Sequence, residues 1–151
     1  MKLAEALLER KQLKDKLYML DVRLRNNARV QEGLTPNEDP KDLLKELKED
    51  TNRYEYLIIH INKTNELTTN ADGLTISSLI AKRDVLNQKL NLIRNFVNSG
   101  SEVINRVSHS EIRTIATFNV SDMQKEADKL SKELRKIDTS IQELNWTTEL
   151  L

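Results

Sequence analysis

Between Met123 and Leu144, apolar residues recur at alternating spacings of four and three: Met123, Ala127, Leu130, Leu134, Ile137, Ile141 and Leu144. Residues at that interval line one side of an α-helix, because a turn takes about 3.6 residues. Charged or polar side chains fill most of the remaining positions. The segment therefore carries one apolar stripe that another surface must cover. Ser121 followed three residues later by Gln124 has the spacing of a capping box, which predicts a helix over 121–145.

Three earlier segments repeat the pattern. The first, 3–27, has a seam of Leu3, Ala6, Arg10, Leu13, Leu17, Leu20, Leu24 and Asn27. The second, 40–66, has Leu43, Leu47, Asp50, Tyr54, Leu57, Ile61 and Thr64, with Asp39 placed to cap it and Pro40 at its first position. The third, 75–98, follows Gly73, starts at Thr75 as cap and carries Ile76, Leu79, Arg83, Leu86, Leu90, Ile93 and Val97. Only three glycines and two prolines interrupt a chain in which 32% of residues are charged, a composition suited to long helices. These features predict one all-α domain over 1–151, an antiparallel four-helix bundle with coiled-coil-like seams. Between 99 and 119 the texture changes: INRV and IRTIATFNV are β-branched, with Thr114, Ala116, Phe118 and Val120 at period two. The expectation there is a small β-hairpin, 103–107 with 112–118, or an irregular insertion. Ser108 with Glu111 offers a capping box for a short helix instead.

Charge excludes some function classes and informs topology. Lys+Arg and Asp+Glu both number 24, which argues against a nonspecific nucleic-acid binder. The distribution alternates: residues 1–30 hold 8 basic and 4 acidic side chains, 31–72 hold 5 and 10, 73–113 hold 6 and 3, and 114–151 hold 5 and 7. Consecutive helices of an up-down bundle are neighbours, so the alternation makes sequential neighbours attract. The absence of cysteine excludes disulfides and Cys-ligated metals, and fits a reducing compartment. Glu5 and Glu9 fall inside what would have to be the apolar core of a signal peptide. Strictly apolar runs such as Tyr56 to Ile59 are far shorter than the ~20 residues of a membrane helix. A cytoplasmic protein without stable membrane insertion is expected.

Candidate sites come from polar residues in unusual places. Three of the four seams carry a charge, at Arg10, Asp50 and Arg83. Antiparallel stacking predicts Arg10 near Leu57, Leu57 near Asp84 and Arg83 near Ile137, with Asp84 and Asp138 as counter-charges. The pole beyond that layer collects Glu5, Asn62, Asn65, Gln142, Asn145 and Trp146. Arg10, Asn62, Asn65, Arg83, Asp84, Gln142, Asn145 and Trp146 thus form a candidate anion or ligand site, or else a polar layer that fixes helix register. Trp146, the only tryptophan, is expected to plug the bundle end. The connector 28–40 concentrates Arg29, Gln31, Glu32, Glu38 and Asp39 as a second candidate site, or as an ordered link whose charges satisfy helix ends.

Glu46, Glu49 and Asp50 form an ExxED cluster, a spacing with which all-helical nucleotide pyrophosphatases hold magnesium; only Asp84 on the third helix could add to it. His60 and His109 lack ligand-spaced companions, so no zinc site is expected. There is no Gly-rich phosphate loop, no GxSxG and no Cys nucleophile, and no cofactor or catalytic residue is predicted. Asn62-Lys63-Thr64, Asn119-Val120-Ser121 and Asn145-Trp146-Thr147 match a glycosylation sequon, which carries no meaning without a secretory route.

Several stretches together resemble one family: MKLAEALLERK at the start, Asn27 to Pro40, INKTN at Ile61 to Asn65, RD.L around Arg83 and Asp84, SHSEIR, and IQELNWTTEL at Ile141 to Leu150. The chain is similar along essentially its whole length to the septicolysin-like family, small bacterial proteins that are largely a domain of unknown function. The name implies a membrane-damaging cytolysin, and no catalytic motif is carried over. The reading favoured by the residues is a non-enzymatic structural or interaction protein. It is expected to be homo-oligomeric through its helix faces, with a further protein partner compatible with them. The alternatives are a cytolysin, and a small-anion or nucleotide-binding protein or metal-dependent nucleotide hydrolase.

Overall fold

A computed structural model of the chain describes residues 1–102, 112 and 114–151. It is all-α: α1 (Leu3–Asn26), α2 (Pro40–Leu67), α3 (Ile76–Ser101) and α4 (Val120–Thr147), with no strand among the described residues. These group into two compact units, Met1–Thr75 with Glu143–Leu151, and Ile76–Gln142. Every predicted seam position in all four helices is buried or half-buried, and none is exposed.

In the first unit α1 and α2 run antiparallel: Glu9 pairs with Arg53, Lys16 with Asp50, and Arg23 with Glu46. Leu3, Leu20, Leu43, Leu57 and Ile61 form its apolar core, each contributing about 1.5–3 kcal/mol gross on burial. Glu5 accepts the Lys2 N–H at 2.7 Å, satisfying one of the orphan donors at the start of α1. At the far end Gly33 turns the chain at φ +85, a conformation that side chains disfavour. Asp39 then caps α2 by accepting the Lys41 N–H at 2.8 Å, with Pro40 following as predicted.

The closing residues strap this unit. Leu3 N–H donates to the Thr148 carbonyl at 3.0 Å and Leu150 N–H to that of Met1 at 2.9 Å. Leu151 N–H donates to the hydroxyl of Thr64, which in turn donates to the His60 carbonyl. Thr64, a polar residue at a seam position, is fully buried because both roles of its hydroxyl are used. After α2 the Asn70 side chain accepts from the N–H groups of Asp72 and Leu74, at 3.1 and 2.9 Å, and Gly73 adopts φ +79.

In the second unit Ile76, Leu79, Leu86, Leu90 and Val97 of α3 are buried, as are Ala127, Leu130, Ile137 and Ile141 of α4. Lys82 reaches Glu133 at 3.5 Å and Arg94 donates to Ser131 at 3.0 Å. α3 continues three residues beyond the predicted 98. Near its end the ring of Phe96 stacks on Phe118 with centroids 3.9 Å apart. Gly100 permits that approach, since a Cβ there would lie 2.5 Å from the Phe118 ring.

Two expectations for the segment before α4 are corrected or narrowed. α4 is capped by Asn119, whose side chain accepts the Asp122 N–H at 3.1 Å, and not by Ser121. Asn is among the strongest N-caps and lies two residues upstream, so the helix starts earlier and Gln124 turns to Asp128 instead. The hairpin arm at 103–107 lies outside the described residues. Of the other arm, the described residues 112 and 114–118 are irregular. Phe118 stacks on the Phe96 ring.

Candidate functional site

The densest polar constellation is a ladder of charges between α1 and α2. Glu9, Lys16 and Arg23 repeat every seven residues along one edge of α1, each immediately before a seam position. Facing them on α2 are Glu46, Asp50 and Arg53. Arg53 grips both oxygens of Glu9, at 2.7 and 2.8 Å, and lies 5.1 Å from the Tyr56 ring centroid. Lys16 stands between two carboxylates, 3.1 Å from Glu46 and 2.8 Å from Asp50. Arg23 spans a helix and a loop, with Glu46 at 3.1 Å and Glu38 at 2.6 Å.

Asn27 completes the end of the ladder. Only 7% exposed, it donates to the Arg23 carbonyl at 2.9 Å and accepts the Glu38 N–H at 3.0 Å. It therefore stops α1 and holds the connector so that the Glu38 carboxylate meets Arg23. Asp50 is the buried member, at 8% exposure. Its Oδ1 accepts from Lys16 at 2.9 Å, while its Oδ2 lies in ion-pair range of the same ammonium without a well-directed hydrogen bond.

These pairings fix protonation states. The hydrogen bond from Arg53 holds Glu9 below the ordinary carboxylate range, Arg23 does so for Glu38, and Lys16, with Arg23 behind it, for Glu46. Hydrogen bonding to Asp50 and Glu46 pushes Lys16 up, and Glu38 does the same for Arg23. All are ionised near neutrality and turned toward one another. A general acid or base needs a proton affinity near the working pH, and these groups are moved away from it.

The sequence-predicted candidates separate. Arg83 finds its counter-charge in the adjacent Asp84 at 2.7 Å, one of the two anticipated. Arg10 is half-buried and makes no ion pair with any described residue. Asn62 and Gln142 are exposed, whereas Asn65 and Asn145 are half-buried. Trp146 is 64% exposed and does not plug an end: its place on the last turn of α4 points the indole outward, and Thr148 to Leu151 supply the closure instead. In the connector, Glu38 and Asp39 satisfy Arg23 and the α2 N-terminus, while Arg29, Gln31 and Glu32 are exposed.

The ExxED residues divide between two faces. Glu46 and Asp50 turn to Lys16, and the exposed Glu49 lies 4.0 Å from Lys45. Among the described residues no three His, Asp or Glu side chains form a group that could hold a metal ion. Sequence reasoning passed over Lys16, Arg23 and Arg53. The available signal was the seven-residue repeat of charges beside the α1 seam, with charges of opposite sign in reverse order at Glu46, Asp50 and Arg53 on α2.

Comparison with known proteins places the chain without assigning it an activity. A crystal structure of a functionally unknown conserved protein from Corynebacterium diphtheriae superposes with a TM-score of 0.85 at 38% identity. The match covers 100% of this chain and 99% of that one. No curated protein matches. The profile of a family of unknown function, DUF6847, matches residues 10–150. That span begins inside α1 and runs through α2, α3 and α4, and the chain belongs to this family.

Proposed function

We propose that the chain is a non-enzymatic helical interaction module that self-associates through outward helix faces in the cytoplasm. The observation that carries this reading is apolar exposure at helical spacing. Val85, Leu92 and Phe96 are 68%, 64% and 49% exposed, and at i, i+7 and i+11 they share one side of α3. Exposed Leu8 and Met19, three turns apart, share one side of α1. Single exposed apolar residues are ordinary, but aligned ones suit contact with another helix. The ladder supports the same reading, because its charges are engaged in holding α1 to α2. Light scattering on a size-exclusion column tests it: a mass above 17.5 kDa is expected, and a monomer across the accessible concentration range overturns self-association.

The septicolysin-like resemblance supports a second reading, membrane damage. No helix among the described residues is long and apolar enough to cross a membrane, so insertion through these helices would require refolding. Dye release from neutral or anionic vesicles by the purified protein would favour this reading over the first. A thermal-shift screen with nucleotides and divalent metals addresses the third alternative, for which the first reading expects a flat response.

A further inference from the structure

We draw no further inference here: the strongest candidate, the outward stripe of Val85, Leu92 and Phe96 along α3, belongs to the self-association already proposed, its far end is already stacked on Phe118 of the same chain, and nothing in the structure shows what covers the rest.

Discussion

Asp50 puts a carboxylate on the seam of α2, between Leu47, Tyr54 and Leu57, and Lys16 is what makes it tolerable there. Removing one partner of a buried pair strands the other, whereas replacing the buried charge with an apolar residue of similar volume does not. Lys16→Met is therefore expected to cost about 1–2 kcal/mol, less than the ~3–5 of a fully buried pair because the Lys16 side chain is 48% exposed. Asp50→Leu should lie within about 1 kcal/mol of the parent or be more stable. Urea denaturation of both variants decides the matter, and an Asp50→Leu protein less stable than Lys16→Met would refute the assignment. Asn27 is the other residue whose loss should be felt. Asn27→Ala leaves the Glu38 N–H without its acceptor and should cost about 1–2 kcal/mol. Hydrogen exchange at the Glu38 amide should accelerate with it; unchanged exchange would mean that Asn27 does not hold the connector.

At the scale of the helices, the ladder predicts acid sensitivity. Glu9, Glu38 and Glu46 hold protons less tightly in the folded chain than when unfolded, so their pairing stabilises fully above the ordinary glutamate value of ~4.3. That contribution disappears as pH falls through the depressed folded-state values. Stability should be level from neutrality to about pH 5 and decline below ~4.3. Glu46→Gln should flatten the decline, and a parent protein equally stable at pH 3 and pH 7 would contradict it. Lys16 works in the opposite direction: its folded value is raised, so its contribution is present throughout that range and fades only in strong alkali. The start of α4 offers a separate test. Asn119→Ala should cost about 1 kcal/mol and Ser121→Ala almost nothing in thermal denaturation; the reverse order would restore the Ser121 cap.

The helices were legible because burial selects apolar residues at a fixed interval, and that interval survives even where Arg10, Asp50, Arg83 or Thr64 occupies the seam. Asp39 and Pro40 were legible because a cap followed by proline has one natural position in a helix. Asn119 was not, since three candidate cap residues, Asn119, Ser121 and Asp122, stand within four positions and only backbone geometry chooses among them. The ladder was missed for a different reason. A charge beside a seam reads as solvated until the facing helix is aligned with it, and only that alignment brings Lys16 to Asp50. Trp146 was misjudged because size and apolarity say that a side chain prefers burial, not that its turn of helix offers any.

For the whole molecule, the proposed role rests on exposed apolar side chains finding a cover between chains. Contacts built from a few half-exposed residues yield a modest gain against the ~4–15 kcal/mol lost on association, so assembly should depend on concentration. A charge placed in the stripe should abolish it without unfolding a helix whose buried face is untouched. The direct test is sedimentation equilibrium of the parent chain and of a Val85→Glu, Leu92→Glu variant over a wide concentration range, with circular dichroism confirming that both are helical. The proposal expects a parent mass rising above 17.5 kDa with concentration and a helical variant fixed at its monomer mass. A parent that stays at 17.5 kDa throughout would contradict it.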